Sequence, residues 1–267
     1  MTSSKTTAVP DGRPVALITG GGTGIGAASA VELSSRGYRV VVCGRRLHKL
    51  ESVAAETGAH PFEVDLTDPG RARDLVHDVA ERFDRLDTIV LNAGTAIEGP
   101  FADLGDEQWS RTLSVNLESA ARVVRLCLPM LMASRGSIVS VASIAALRAG
   151  TLMSAYSASK AGLVSLTQSL AVEYASAGVR ANAVCPGWVR TEMADGELSG
   201  TMADHGLTID EAYSRVTSLV PMRRAADPAE IARVVAFLAC SESSYITGAC
   251  IPVDGGATIA DLGTLAL

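Results

Sequence analysis

Val15-Ala16-Leu17-Ile18-Thr19 runs directly into Gly20-Gly21-Gly22-Thr23-Gly24-Ile25-Gly26, and the Ala-rich stretch Ala27 to Arg36 follows. A short apolar strand, a glycine turn and a helix in that order make the opening of a nucleotide-binding β/α unit. Glycines let the backbone turn sharply and approach a pyrophosphate with no Cβ in the way. The helix start adds unpaired N–H groups and the positive end of its dipole. The competing reading is a glycine-rich turn of purely structural use, and its position in a repeating chain argues against that.

The unit repeats outward from this turn. Val40 to Cys43, Phe62 to Val64, Thr88 to Asn92, Ser137 to Val141, Val179 to Cys185 and Cys250 to Val253 read as further strands, with helical stretches at 46–56, 68–83, 107–133, 154–175 and 228–240. Most of these strands are uninterrupted apolar runs, which suits a parallel sheet covered on both faces. The predicted fold class is α/β: a single doubly wound Rossmann-type domain with a seven-stranded parallel sheet flanked by helices, over 14–267 after a flexible tail at 1–13. The segment from Thr191 to about Pro221 shows no clean period and reads as a long irregular lid over the substrate site.

Composition narrows the function. The chain has 267 residues, 48% of them apolar, and a net charge of −6 with no run of like charge, which excludes a disordered protein and argues against a nucleic-acid partner. Its five cysteines are an odd number without metal-ligand spacing, so neither a disulfide framework nor a metal site is predicted. Met1 to Arg13 is polar, and no later stretch stays apolar for the roughly 20 residues of a membrane span. The expectation is a cytoplasmic protein with no membrane partner.

A dinucleotide fold grips the adenosine ribose at the end of its second strand, which here reads Val42-Cys43-Gly44-Arg45-Arg46. No carboxylate stands there for a ribose hydroxyl, and two guanidinium groups suit a 2′-phosphate. NADP(H) is therefore the preferred cofactor and NAD(H) a possible one; the alternative is that Arg45 and Arg46 merely cap or solvate the next helix. Tyr156 and Lys160 fall four apart in a helical stretch, on one face, and Ser143 follows the strand ending at Val141. An ammonium beside a phenol stabilises the phenolate and lowers a pKa of about 10, the adjustment a proton-exchanging tyrosine needs.

With these pieces in order, the chain resembles the short-chain dehydrogenase/reductase family over about 15–256. The resemblance rests on the Thr19 to Gly26 turn, Asp65-Leu66, Asn92-Ala93-Gly94, Asn116, Ser143, Tyr156-Ser157-Ala158-Ser159-Lys160, Pro186-Gly187 with Thr191, and Asp254-Gly255-Gly256. It implies catalysis by Asn116, Ser143, Tyr156 and Lys160. Ser143 would bond the substrate oxygen, Tyr156 exchange its proton, Lys160 also hold the nicotinamide ribose, and Asn116 hold a water linking Lys160 to solvent. Gly20, Thr23, Gly24, Ile25 and Gly26, with Arg45, Arg46, Asp65, Leu66, Asn92, Ala93, Gly94, Tyr156, Lys160, Pro186, Gly187, Val189 and Thr191, are the implied cofactor contacts. Asp65 would meet the adenine amino group, and Pro186 to Thr191 the nicotinamide carboxamide. NADP-preferring relatives often carry Arg or Lys where Thr23 stands, so phosphate recognition rests on Arg45 and Arg46. Taken singly, Asn116 also reads as a helix cap or kink, and Ser143 as a helix-start hydroxyl.

The reading is an NADP(H)-dependent oxidoreductase acting between a neutral, largely apolar ketone and its secondary alcohol. The substrate-binding candidates are Ser143, Met153, Tyr156, Trp188 and Met193, with Leu198, Met202 and Leu207 as further apolar positions. Thr191 to Ser214 has no Lys or Arg but carries Glu192, Asp195, Glu197, Asp204, Asp210 and Glu211, which disfavours anionic substrates. A β-ketoacyl-thioester reductase is the alternative, favoured by the flanking Arg148, Arg190 and Arg215; a non-catalytic cofactor sensor is disfavoured because Tyr156 and Lys160 are both present. The family resemblance also implies a homotetramer or homodimer, paired through the stretches around Leu113, Leu117, Val124, Leu128, Leu163, Leu166 and Leu170.

Overall fold

The computed structural model describes residues 12–261. Its strands are β1 (Val15–Thr19), β2 (Arg39–Gly44), β3 (His60–Glu63), β4 (Thr88–Leu91), β5 (Ser137–Val141), β6 (Arg180–Pro186) and β7 (Cys250–Val253). The helices are α1 (Gly24–Ser35), α2 (Leu47–Thr57), α3 (Pro69–Phe83), α4 (Asp106–Leu113), α5 (Ser119–Ser134), α6 (Ser154–Tyr174), α7 (Glu192–His205), α8 (Ile209–Val216) and α9 (Pro228–Ala239). All seven strands pair in parallel in the order β3-β2-β1-β4-β5-β6-β7.

The pleat explains why β1 is buried along its whole length. Val15 and Leu17 face one layer, where Leu75 of α3, Val123 and Leu131 of α5 and Leu163 of α6 close over them. Ala16 and Ile18 face the other, against Leu33 of α1, Leu50 of α2 and Ile231 of α9. The helix starts are set locally. Asp68 accepts from the Gly70 and Arg71 amides with Pro69 next to it, and Asp227 accepts from the Ala229 amide before Pro228. β1 pairs with β2 on one side and β4 on the other, so successive crossovers leave in opposite directions there and open a crevice beyond the strand ends.

The structure corrects three sequence expectations. The third strand begins earlier than the apolar run at Phe62, because it is an edge strand paired only with β2 and carries polar residues such as His60 and Glu63. The stretch read as one helix over 107–133 is two, α4 and α5, joined by a single π turn at Ser114–Glu118 that contains the buried Asn116. The segment read as irregular from Thr191 is largely helical. Thr191 and Thr208 cap α7 and α8, which share a satellite core of Ala194, Leu198, Ala212 and Tyr213 with Trp188 and Met202 packed against it. Of the tail expected to be flexible, residues 1–11 lie outside the described residues.

Among the described residues, no helix is long and apolar enough to cross a membrane.

Candidate active site

The glycine turn after β1 is required by its neighbours. Gly20 has φ +64°, and a Cβ there would lie 2.9 Å from the Ala93 Cα. A Cβ on Gly26 would collide with the Gly20 carbonyl and lie 2.6 Å from Asn92 Nδ2. Asn92 ties the ends of β1 and β4 together: its Nδ2 donates to the carbonyls of Thr19 and Gly20, each at 3.0 Å. Thr19 Oγ1 accepts the Asn92 and Ala93 amides, also at 3.0 Å. Gly24 (φ +54°) brings the turn against Thr191, whose Cγ2 would stand 3.0 Å from a Cβ at that position.

A crevice of about 1330 Å³ opens above this turn. Nearly every residue anticipated from the sequence lines it: Gly20, Thr23, Gly24, Ile25, Arg45, Arg46, Asp65, Leu66, Asn92, Ala93, Gly94, Ser143, Met153, Tyr156, Lys160, Pro186, Gly187, Trp188, Val189, Thr191 and Met193. Gly26 and Asn116 stand behind the wall and support it. Leu198 is buried in the satellite core, and neither Met202 nor Leu207 reaches the crevice.

On the catalytic wall, Lys160 is 4% exposed and its Nζ donates to the Val141 carbonyl at 2.9 Å. The same nitrogen lies 5.7 Å from the centre of the Tyr156 ring. Burial pushes the Tyr156 phenol up to about 12; the Ser143 hydroxyl pulls against this and the Glu197 charge adds to it. Burial also brings Lys160 down to about 8. Burial thus outweighs the Ser143 bond, and the phenol stands above its ordinary value in this structure, opposite in direction to the lowering expected from the ammonium. Ser143 is extended and its Oγ accepts from the Ala145 amide at 3.1 Å, which aims the hydroxyl at the head of α6.

Asn116 is fully buried. Its Oδ1 accepts from the Thr95 amide at 2.8 Å, and its Nδ2 donates to the Thr95 carbonyl and to Ser159 Oγ, each at 2.9 Å. A Cβ on Gly94 would lie 3.4 Å from both Asn116 Oδ1 and Lys160 Nζ, so that glycine is the gap across which the two polar groups approach. The π turn supplies the geometry, since it swings Asn116 inward where a regular helix would not.

At the adenosine end, burial favours a neutral Asp65, but bonds from the Thr67 amide (2.9 Å) and hydroxyl (2.7 Å), with the Arg45 and Arg111 charges, hold it below the usual carboxylate range. Arg46 Nη1 reaches Glu192 Oε2 at 2.8 Å and its Nη2 donates to Thr23 Oγ1 at 3.3 Å. Lys49 Nζ reaches the other oxygen of Glu192 at 2.7 Å.

Those contacts correct the picture of an acidic lid without balancing cations. Arg46, just before α2, and Lys49 in its first turn neutralise Glu192, Arg190 pairs with Asp210 at 2.7 Å, and Asp195 accepts from the Tyr213 hydroxyl at 2.8 Å. Glu197 instead lines the crevice with Glu98, and burial together with the Glu98 charge raises it to about 7. Lys49 and Glu98 were missed in the sequence, where Glu197 was read only as one acidic residue of the lid. Lys49 was recoverable as the residue one helical turn beyond Arg46; Glu197 becomes visible only once α7 is known to be a helix whose Met193, Gly196, Glu197 and Gly200 line the crevice.

The model of the family described as Enoyl-(Acyl carrier protein) reductase matches residues 20–258. Protein MoaE of Klebsiella aerogenes is 42% identical over 258 residues, covering 94% of this chain and 98% of that protein. Meso-2,3-butanediol dehydrogenase of Serratia marcescens is 33% identical, covering 92% and 95%. A variant of actinorhodin polyketide ketoreductase, solved with NADPH, superposes with a TM-score of 0.89 at 34% identity, covering 95% of this chain and 100% of that one. With the glycine turn, the catalytic wall and this likeness along almost the whole length, the chain belongs to the short-chain dehydrogenase/reductase family, oxidoreductases that act between CH–OH and C=O groups with a nicotinamide cofactor.

Proposed function

We propose that the protein is an NADP(H)-dependent reductase of neutral, largely apolar ketones, running reversibly to the secondary alcohol. The observation that carries this reading is the convergence of Ser143, Tyr156 and Lys160 on one wall of a crevice whose floor is the glycine turn. The residues fit a dinucleotide. Gly20, Gly22 and Gly24 line the crevice with no side chain in the way, and Arg45, Arg46 and Lys49 line the adenosine end. Gly20 to Gly26 would face the pyrophosphate, Asp65 the adenine, Pro186 to Thr191 the nicotinamide, and Lys160 its ribose.

When bound, the nicotinamide supplies or accepts the hydride. The chain supplies the rest. Ser143 donates to the carbonyl oxygen and polarises it; Tyr156 passes its phenolic proton to that oxygen and is reprotonated from solvent, with Asn116 and Lys160 on the return route. A phenol near 12 is protonated at neutral pH, which is the form that reduction consumes. Met153, Trp188 and Met193 form the apolar part of the substrate wall, with residues 191–221 as the lid. Glu98 and Glu197 repel carboxylate and phosphate groups that enter beside Tyr156.

A second reading, a β-ketoacyl-thioester reductase, is favoured by Arg148, a cation on the crevice wall, and by the likeness to a polyketide ketoreductase. Assaying simple ketones, secondary alcohols and acyl thioesters by NADPH and NADH absorbance separates the two. A kcat/KM that favours a thioester over every simple ketone would establish the second reading and refute the first.

The proposal includes self-association as a dimer or tetramer. Of the apolar positions named for that face, Val124, Leu128, Leu163 and Leu170 are buried within the protomer, and Leu117 packs where Gly162 lacks a side chain. Leu113 and Leu166 remain partly exposed for a partner.

A further inference from the structure

We propose that Glu192 is a specificity-determining residue: its carboxylate occupies the position of the cofactor 2′-phosphate, and NADP(H) binds by displacing it. This rests on the NADP(H) reading above and deepens it.

Three observations support the assignment. Glu192 opens α7, on the opposite side of the crevice from β2 and α2, yet both of its oxygens are engaged by cations from the β2–α2 side, Arg46 Nη1 at 2.8 Å and Lys49 Nζ at 2.7 Å. The Arg46 guanidinium also donates to Thr23 Oγ1 of the glycine turn at 3.3 Å, so the turn holds one of the two cations that converge on a single anion at the adenosine end of the crevice. Bonds from Lys49 first and Arg46 second hold the Glu192 carboxyl below its usual range, so the occupant is an anion at neutral pH.

The chemistry of that set is the chemistry of a phosphate monoester. A carboxylate offers one negative charge, whereas a phosphate carries about 1.5 to 2 charges and three acceptor oxygens. Both members of the ion pairs are substantially exposed, Arg46 by 53% and Glu192 by 44%, and exposed pairs are weakly held. A dianionic phosphate therefore outcompetes Glu192 for Arg46 and Lys49, but with a penalty that NAD(H), lacking the phosphate, does not meet in the same way. Arg45, also on this edge, is left to add its charge to the incoming phosphate.

The test compares two probes that differ in the 2′-phosphate, adenosine 2′,5′-bisphosphate and 5′-AMP. Their dissociation constants are measured by titration calorimetry on wild type and on Glu192→Gln, which keeps the size of the side chain and removes its charge. Glu192→Gln should bind the bisphosphate about 3- to 10-fold more tightly, the size expected for removal of exposed competing pairs, and change 5′-AMP by less than about 2-fold. Lys49→Ala in the Glu192→Gln background should reverse the gain. An unchanged ratio of the two constants overturns the proposal, and so does an equal tightening of both probes, which would make Glu192 a general electrostatic screen. Thermal melting of each variant verifies that it is folded. The outcomes separate from those for the cofactor reading. If wild type binds both probes equally while Glu192→Gln acquires a bisphosphate preference, the role of Glu192 stands and the wild-type NADP(H) preference falls. If wild type prefers the bisphosphate and the variant does so to the same degree, the reverse holds.

Discussion

Replacing Glu197 with Gln probes the electrostatics of the substrate wall through stability as well as turnover. Burial first, and the Glu98 charge second, raise the Glu197 carboxyl from an ordinary 4.5 to about 7. Without solvent screening that rise is worth about 3 kcal/mol, at about 1.4 kcal/mol per pH unit. Glu197 is only half-buried, so the measurable part is about 1 to 2 kcal/mol. The sign follows from proton linkage. Between the unfolded and native values the native protein holds a proton that the unfolded chain has lost, so this stabilisation is full below 4.5 and disappears as pH rises through about 7. Gln has no such proton. Urea denaturation of both proteins, followed by circular dichroism at one protein concentration, should show the stability difference moving toward the Gln variant by about 1 to 2 kcal/mol between about pH 5 and about pH 8. Parallel pH curves for the two proteins would refute the argument, because Glu197 would then titrate as it does in the unfolded chain.

Tyr156→Phe should lower kcat by about 10²-fold or more while leaving cofactor affinity within about 2-fold, whereas Lys160→Ala should weaken both; stopped-flow turnover with fluorescence titration of NADPH distinguishes them. Arg45→Ala should reduce kcat/KM for NADPH by about 10-fold and spare NADH, read from initial rates with each cofactor. Gly26→Ala places a methyl group on the Gly20 carbonyl and on Asn92, and should abolish NADPH binding in the same fluorescence titration even where the protein remains folded by circular dichroism. Light scattering at micromolar concentration should return a dimer or tetramer; a monomer would remove the assigned role of Leu113 and Leu166.

What could be read from the sequence was local in character. β1, the glycine turn and α1 are contiguous, and the step from Tyr156 to Lys160 is one helical turn, so pattern alone recovers them. The failures have a common physical origin in contacts between distant residues. The segment after Thr191 looked aperiodic because α7 buries few apolar residues, Ala194 and Leu198 among them, and Gly196 and Gly200 blur the stripe. Arg46 was read as a contact for the 2′-phosphate, and its partner within the chain, Glu192, lies 146 positions away. Glu98 and Glu197 meet only because β4 and β6 both end at the crevice, and nothing in either neighbourhood announces the other. The inverted shift of Tyr156 has the same root, since burial depends on the whole fold and not on the spacing of two residues.

The π turn at Ser114–Glu118 holds one residue more than a regular winding would. Each residue of a regular helix advances by about 100°, and the widened turn takes up the surplus, so α4 and α5 keep the faces they would have in a continuous helix one residue shorter. Thr112 can therefore stay against α6 while Val123, Cys127 and Leu131 stay against the sheet. What the surplus residue sets is the local position of Asn116 against Thr95 and Ser159. Deleting one residue here should cost turnover far more than folding.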